Sequence, residues 1–322
     1  MYMATVEAGA RLHVGFQNLS LAYDRIYGGI GIAIQSPTVS VSAEPAEQVS
    51  CSHDLAQQYA TIAIDHLSLP GAEINIKSEL PRHVGLGSGT QLALAVSHAI
   101  ASAYDADLSV RSIAPKLGRG GRSGIGVAGF EEGGFIIDGG HPTARFTSDP
   151  PSRGEWEVPP VIARQPVPDR WRFLLVVPDL PKGRNGETEE ESMRSIIEQA
   201  SPDVANKVSG ILSRRLLPSI VMDDIQTAGD AITTIDQING SWYSDEQGGV
   251  YRPPVGDLID KLRSCESIAG VGQSSWGPTV YALTTDSLAS KAETAANDAL
   301  DELGLNGRTM LTCPDNDGAS MR

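Results

Sequence analysis

Hydrophobic and polar positions in the first half of the chain follow two periods, one typical of strands and one typical of helices. Residues 4–9, 39–42 and 73–76 alternate apolar and polar side chains, and residues 27–34 form a glycine-rich apolar run, so strands are predicted there. Apolar residues at helical spacing predict a helix at 55–67. An Ala- and Leu-rich run without Pro or Gly predicts a buried helix at 91–103.

The second half carries the same mixture of periods. Short apolar runs predict strands at 171–177, 279–283 and 309–312. Longer periodic stretches predict helices at 188–200, 205–217, 222–239, 256–264 and 287–303. Residues 142–170 are rich in Pro and polar side chains and have no clear period, so we place a domain boundary there. We therefore expect domains at 1–165 and 166–322.

A glycine-rich turn, Pro81-Arg-His-Val-Gly-Leu-Gly-Ser-Gly-Thr90, joins the strand at 73–76 to the buried helix. Strand, glycine turn and helix together allow backbone N–H groups to surround phosphate oxygens, and the helix N-terminus adds a favourable dipole. The spacing matches neither a Walker A loop nor a dinucleotide fingerprint. The alternative is a tight turn before a helix, with no ligand. The candidate phosphate-binding residues are Arg82, His83, Gly85, Gly87, Ser88, Gly89 and Thr90.

Two further small-residue segments carry ligand-binding groups. Residues 118–130 place Arg119 and Arg122 among glycines, and arginine forms bidentate hydrogen bonds to phosphate or carboxylate. Residues 270–278 supply hydroxyl and amide groups from Gln273, Ser274 and Ser275. For the first segment, the alternative is a flexible solvated loop. A basic segment, 182–186, is predicted as either a loop that folds over a ligand or an exposed turn.

Isolated polar residues in apolar surroundings add further candidates. Arg11 and His13 are two residues apart, so they share one face of a strand. Asp138 ends a predicted strand, where it is either a turn-forming residue or a catalytic one. His13, His83 and Asp138 are candidates for proton transfer or metal binding, and the sequence does not rank them.

The composition narrows the choice of partners. The formal net charge is −15, from 40 acidic and 25 basic residues, which argues against nucleic acid and anionic membranes as partners. An anionic substrate therefore needs positive charge gathered locally. No apolar stretch approaches the roughly 20 residues that cross a bilayer, and no secretion signal is evident, so we expect a cytoplasmic protein. The three cysteines have no metal-binding spacing.

Several long sequence strings resemble a known family. The chain resembles the GHMP kinase superfamily and, within it, the β-ribofuranosylaminobenzene 5′-phosphate synthase family. The strings that carry the resemblance are Arg11-Leu-His13 and residues 27–31, 85–93, 118–127 and 272–281. The resemblance implies two α+β domains, the first like ribosomal protein S5 and the second like ferredoxin. Kinases of the superfamily carry a Mg²⁺-binding Ser where this chain has Gly89, and many carry a catalytic Asp where it has Gly126.

The resemblance also implies a reaction. It is decarboxylating phosphoribosyl transfer from 5-phosphoribosyl diphosphate to 4-hydroxybenzoate or 4-aminobenzoate, for pterin cofactor synthesis of the tetrahydromethanopterin type. We expect Mg²⁺ with unknown ligands, no organic cofactor, and a homodimer. The alternatives are an ATP-dependent small-molecule kinase and a metabolite-sensing module without catalysis.

Residue roles follow from the same resemblance. His13, Asn18, Arg25 and Asp138 are the catalytic candidates, and Asn18 stands where relatives tend to carry an acidic residue. Arg11 or Arg25 is expected to bind the carboxylate of the benzoate. The glycine-rich turn at 85–90, with Arg82, Arg119 and Arg122 nearby, is expected to stabilise the departing diphosphate.

Overall fold

The computed structural model of the protein describes residues 2–146, 151–181 and 187–322; the predicted loop at 182–186 lies outside the described residues. The strands are β1 Ala4–Asn18, β2 Arg25–Pro45, β3 Ala72–Ser78, β4 Phe135–Asp138, β5 His141–Pro142, β6 Val161–Gln165, β7 Trp171–Pro178, β8 Gly270–Gln273, β9 Val280–Thr285, β10 Gly307–Thr312 and β11 Ser320–Met321. The helices are α1 Asp54–Leu67, α2 Ser88–Ala103, α3 Val110–Ile113, α4 Ile125–Glu131, α5 Glu187–Gln199, α6 Pro202–Ile211, α7 Leu217–Val221, α8 Ile225–Trp242, α9 Ser244–Gln247, α10 Val255–Arg263 and α11 Ala289–Glu302.

The first sheet is organised around the long antiparallel pair β1 and β2. Its order is β11-β1-β2-β4-β6, and β3 and β5 also pair with β2. The strands predicted at 27–34 and 39–42 are a single strand, β2, whose pairing with β1 shifts register between Gly9 and Ala10. Every second residue near the start of β1, such as Val6 and Ala8, is buried, as expected for a strand with one face on a core.

The second sheet has the ferredoxin-like topology. Its order is β10-β7-β9-β8 with every pair antiparallel. Along the chain the elements run β7, α10, β8, β9, α11, β10, so the first and third strands are central. Phe173 and Leu175 of β7 join one core, whereas Leu174 and Val176 join the other, beneath α10 and α11. Burial on both faces explains why this strand is a continuous apolar run. The predicted fold class is confirmed.

The two halves share one hydrophobic core. The cluster that holds Leu12 of β1 also holds Phe173 and Tyr281 of the second sheet. Helix α8 packs against both β1 and β8, and β11, the last strand, returns to pair with β1. Strand β6 ends the first sheet at residue 165, while the last residues of the chain also belong to that sheet. The division at residues 165 and 166 stays a prediction.

Glycine-rich segments contain regular structure that the periodicity did not predict. Helix α2 begins at Ser88, inside the predicted phosphate loop, and α4 occupies the end of the segment predicted as a loop at 118–130. Strand β8 forms the start of the predicted loop at 270–278, and β6 lies in the boundary region. Glycine has low intrinsic propensity for helices and strands, so α2, α4 and β8 form despite their glycines because tertiary packing stabilises them.

The contact between α8 and β8 is close enough to exclude a side chain. A Cβ atom on Gly229 would lie 2.1 Å from the carbonyl oxygen of Ala269. We predict that Gly229→Ala lowers the free energy of unfolding by about 1–3 kcal/mol, because overpacking forces the helix away from the strand. Urea denaturation measures this change. Gly256→Ala is the control, since a Cβ there meets only ordinary contacts at 3.6 Å. An equal loss in both variants would contradict this explanation.

Candidate functional site

A cavity of about 510 Å³ opens where the two halves meet. Its walls come from β1, from the glycine-rich segment at 118–123, from α8, and from the loop that follows β8. Thr90, in the first turn of α2, lies at one end. Three small-residue segments that are far apart in sequence therefore meet around one volume.

A buried serine joins the loop after β8 to the glycine-rich turn before α2 and to β1. The Ser274 hydroxyl donates to the carbonyl of Gly85 at 2.7 Å and accepts from the backbone N–H of His13 at 3.0 Å. The N–H of Ser275 donates to the His13 carbonyl at 3.1 Å. Ser274 has no exposed surface, so these hydrogen bonds form away from water. Ser274 fixes the geometry of the site, and its neighbours Gln273 and Ser275 line the cavity.

Positive charge is concentrated in the cavity. Among the described residues, five arginines from separate parts of the chain line it, namely Arg11, Arg119, Arg122, Arg145 and Arg194. By contrast, Asp236 is the only carboxylate among the described lining residues. In a chain with a net charge of −15, this arrangement gives an electropositive interior suited to an anionic ligand.

The glycines of the predicted phosphate loop make room for guanidinium groups. A Cβ atom on Gly87 would lie 2.9 Å from the Arg11 side chain, and one on Gly89 would lie 2.9 Å from the Arg119 Nη1 atom. The Arg11 Nη1 group donates to the Gly85 carbonyl at 2.7 Å. A phosphate placed beside this loop would therefore meet arginine side chains as well as backbone N–H groups.

Arg119 is held in place from three sides. Its guanidinium lies over the Tyr59 ring, 5.4 Å from the centroid, and donates a hydrogen bond to the Tyr59 hydroxyl. The Trp156 indole N–H donates to the Arg119 carbonyl at 2.8 Å. The Arg119 Nε atom is buried and has no hydrogen-bond partner in the protein. A buried donor without a partner costs free energy, so the contacts with Tyr59 and Trp156 must offset this cost to keep Arg119 at the cavity.

Aromatic rings cover one wall of the cavity in an unbroken series. His13 contacts Phe16, Phe16 contacts Tyr27, and Tyr27 contacts His141, with centroid separations from 4.8 to 6.2 Å. Burial, with Arg11 and Arg122 nearby, lowers the pKa of His13 to about 3. Burial, with Arg145 nearby, lowers the pKa of His141 to about 4. Both imidazoles are therefore neutral at pH 7.

One face of α8 forms another wall of the cavity. Asp236, Asn239, Gly240 and Tyr243 all line the cavity, at the spacing of residues that share a helix face. Tyr243 packs edge-to-face on Trp276, with the ring centroids 4.9 Å apart. The cavity therefore combines a cationic region at the glycine-rich segments with an aromatic region between β1 and α8.

Several residues nominated from the sequence lie outside the cavity. Arg82 pairs with Glu79 and His53 instead, and neither His83 nor Ser88 is among the lining residues. Arg82 pairs with Glu79 because the two residues are three positions apart on the segment between β3 and α2.

The polar pair Asn18 and Arg25 lies in a neighbouring groove of about 310 Å³ rather than in the main cavity. The Asn18 amide donates to the carbonyls of Ser20 and Arg25, at 2.9 and 2.7 Å. Arg25 donates to the carbonyls of Gly139 and Gly140, at 2.5 and 2.6 Å. The hydrogen bonds of Asn18 close the turn between β1 and β2, and those of Arg25 join the start of β2 to the turn between β4 and β5, so both residues shape the backbone.

Asp138 is buried behind the cavity. Its carboxylate accepts the backbone N–H groups of Gly124 and Gly140, at 2.7 and 2.9 Å. Burial raises its pKa to about 6, against the opposing effect of these hydrogen bonds. Asp138 joins the end of β4 to the start of α4, next to Ser123, which does line the cavity. It therefore positions the segment that carries Arg122, and it is not among the described residues that line the cavity.

Sequence reasoning missed the residues that the second half and the region before β6 contribute. They are Arg145, Trp156, Arg194, Asp236, Asn239, Tyr243 and Trp276. The spacing of Asp236, Asn239, Gly240 and Tyr243 was a usable signal, because it places small and polar residues along one side of a predicted helix. The arginines carried no local pattern of this kind.

A metal site built from protein carboxylates does not fit the described residues. They contain no group of three His, Cys, Asp or Glu side chains able to hold a metal ion. Asp236, the lining carboxylate, is buried, and both of its oxygens lie 3.2 Å from the Gln273 N–H. Mg²⁺ requires several oxygen ligands in octahedral geometry.

No helix among the described residues is long and apolar enough to cross a membrane.

The two buried aspartates make stability depend on pH in a testable way. Burial raises the pKa of Asp236 to about 8 and that of Asp138 to about 6, so each folded carboxyl holds its proton above the unfolded pKa of 3.8. Stability contributed by the protonated form is therefore lost as pH rises. We predict that the unfolding free energy of the wild type relative to Asp236→Asn falls by about 1.4 kcal/mol per unit between pH 4 and 8.

Asp138→Asn is the internal control for this measurement. The unfolding free energy of the wild type relative to Asp138→Asn should also fall as pH rises. This fall should stop near pH 6, where the Asp138 carboxyl group ionises in the folded protein. Denaturation by urea across this pH range measures both differences. If neither difference changed with pH, the two carboxyls would not be protonated in the folded protein.

Comparison with known proteins identifies the family. Residues 54–134 match the model of the GHMP kinases N terminal domain, and residues 221–302 match that of the GHMP kinases C terminal domain. The structure is similar to that of homoserine kinase from Cytophaga hutchinsonii, with a TM-score of 0.72, 18% identity, and coverage of 100% of this chain and 98% of that one. At this identity, the likeness shows a common fold.

Two relatives narrow the assignment. The chain is 35% identical to β-ribofuranosylphenol 5′-phosphate synthase from Archaeoglobus fulgidus over 99% of both chains. It is 31% identical to the protein of the same name from Methanothermobacter thermautotrophicus over 98% of both chains. The chain therefore belongs to the β-ribofuranosylphenol 5′-phosphate synthase family, within the GHMP kinase superfamily.

Proposed function

We propose that the protein transfers the ribosyl 5′-phosphate group of 5-phosphoribosyl diphosphate to the ring of 4-hydroxybenzoate. The ring loses its carboxyl group as CO₂, and diphosphate departs. The observation that carries this proposal is a cavity in which a cationic region adjoins an aromatic region, in a chain whose relatives are named for a ribosylphenol phosphate. The named product also favours a hydroxybenzoate over an aminobenzoate as the acceptor.

The donor matches the cationic region. It carries a diphosphate at one end and a phosphate at the other, and guanidinium groups bind phosphate oxygens in pairs. Arg11 and Arg119 lie against the glycine-rich loop, where Thr90 adds a hydroxyl. Arg145 and Arg194 also line the cavity, and Arg194 stacks on the Phe146 ring at 5.5 Å. Several guanidinium groups around one cavity suit a ligand that carries two anionic groups.

The acceptor matches the aromatic region. The rings of Phe16, Tyr27, Tyr243 and Trp276 line the cavity and provide faces and edges for a benzoate. Arg11 and Arg122 lie near His13 on the same wall, so a carboxylate entering there meets positive charge. Ring packing would hold the ring carbon that bears the carboxylate against the ribose.

The protein's part in the reaction is to stabilise charge and exclude water. As the bond between the ribose carbon and diphosphate breaks, negative charge grows on the leaving oxygens and positive charge on the ribose. Fixed guanidinium groups in a buried site stabilise that leaving group without reorganising. In this proposal, Mg²⁺ would enter the site bound to the phosphate oxygens of the donor, and no step is assigned to it. The homodimer expected from the resemblance also stays a prediction.

The activity itself is tested by incubating the purified protein with the donor and 4-hydroxybenzoate. We predict that CO₂ and diphosphate appear in equal amounts, because one is released from each partner of the new bond. Turnover of ATP with a small alcohol, without reaction of the donor, would favour the kinase. The superfamily's catalytic Asp position holds Gly126 here, so we expect no such turnover.

Binding of the leaving group tests the assignment of the arginines. We predict that Arg119→Ala raises the Kd for inorganic diphosphate by about 10- to 100-fold, the size of a lost charge-assisted hydrogen bond. Calorimetric titration measures this change. Arg82→Ala is the matched control: it removes an equal charge from the turn beside the loop, outside the cavity, and should change the Kd less than about threefold. Equal losses in the two variants would show that only overall charge matters.

A further inference from the structure

Asp236 of α8 is the only carboxylate among the described residues that line the cavity, and the proposed reaction requires a base. We propose that Asp236 is the base that accepts the proton of the acceptor's para-hydroxyl group as the ring attacks the ribose. This inference rests on the proposed function and adds to it a catalytic residue and a reason for choosing a phenolic acceptor.

The position of Asp236 is fixed by its surroundings. Its side chain is 4% exposed, and both carboxylate oxygens lie 3.2 Å from the N–H of Gln273. The Tyr281 hydroxyl lies 3.5 Å from Oδ1. A Cβ atom on Gly272 would lie 2.6 Å from the carboxyl carbon, so the absence of a side chain there leaves space for the carboxyl group. The group is held rigidly at the surface of the cavity.

The helix face above Asp236 leads to the aromatic region. Tyr243 lies seven residues further along α8, about 10 Å by the rise of an α-helix, and packs on Trp276. Between them, Gly240 adds no side chain, and the amide of Asn239 is engaged by the backbone of Phe16. A benzoate that packs among these rings places its para substituent along this face of α8, and Asp236 is the carboxyl group on that face.

The protonation behaviour of this carboxyl group suits a base for a phenol. Burial raises the pKa of Asp236 to about 8, and the neighbouring Tyr251 and Tyr281 keep their own protons because burial raises their pKa values. A base with a pKa near the working pH transfers protons most effectively. An exposed aspartate, with a far lower pKa, would be too weak a base for a phenolic proton.

The step balances without any further reactant. The phenolic O–H bond breaks, and its proton goes to the Asp236 carboxylate. The electron pair moves through the ring to the carbon that bears the carboxylate, which bonds to the ribose as diphosphate leaves with the electron pair of the broken C–O bond. The ring then loses CO₂, its electron pair restores the aromatic ring, and the oxygen takes the proton back from Asp236.

The test compares acceptors of different acidity in wild-type protein and in Asp236→Asn. The isosteric amide cannot accept the proton, so single-turnover CO₂ release from 4-hydroxybenzoate should fall by about 100-fold or more. With 3,5-difluoro-4-hydroxybenzoate, whose hydroxyl is largely ionised before it binds, the same substitution should cost less than about fivefold, because no proton remains to be removed. The quantity of interest is the ratio of wild-type to variant rate for each acceptor.

Asp138→Asn is the matched control, a buried aspartate that hydrogen-bonds backbone N–H groups but does not line the cavity. Its loss of rate should be the same for both acceptors. If Asp236→Asn fails to fold, Asp236→Ser gives the same comparison. An unchanged ratio across acceptors for the Asp236 variants would overturn this inference while leaving the proposed function intact. A wild-type protein that releases no CO₂ from either acceptor would overturn the proposed function itself.

Discussion

The site depends on one buried hydroxyl group. Ser274 belongs to the second sheet's loop, yet it donates to Gly85 of the first half and accepts from His13 of β1. Such hydrogen bonds are strong in a dry interior, and losing one partner leaves the others unsatisfied. The loop after β8, the glycine-rich turn before α2 and strand β1 are therefore fixed relative to one another before any ligand enters. A preformed site of this kind spends less binding energy on ordering itself.

With these segments fixed, the charge and the shape of the cavity together suit an anionic ligand. Glycines at positions 87 and 89 let Arg11 and Arg119 lie directly against the loop, and both arginines line the cavity. The surplus of acidic residues elsewhere in the chain leaves this interior as a concentrated positive region. Burial affects the other groups differently: it keeps the two cavity histidines neutral and raises the pKa of Asp236 to about 8, so that this carboxyl group can exchange a proton near neutral pH. One fold thus combines fixed cations for phosphates with two neutral imidazoles and one titratable carboxyl group around an aromatic acceptor.

The sequence predicted the fold class and most long elements because their periodicity is strong, as in α1, α8 and β7. It also predicted two of the five cavity arginines from their glycine-rich context, and Arg11 from its place on a strand. It could not separate these from Arg82 and Arg25, because local sequence does not show whether a guanidinium is engaged by Glu79 or by backbone carbonyls. Residues such as Arg145 and Arg194 reach the cavity only through tertiary packing, so no local pattern marks them.

The account's central claim is that a polyanionic ligand lies among guanidinium groups between the two halves. A crystal structure of the protein with 5-phosphoribosyl diphosphate bound tests it most directly. We expect the diphosphate oxygens within hydrogen-bond distance of Arg119 and of the backbone N–H groups at the start of α2, with the ribose facing the aromatic rings. A diphosphate bound instead at Arg82, or in the groove beside Arg25, would contradict the account.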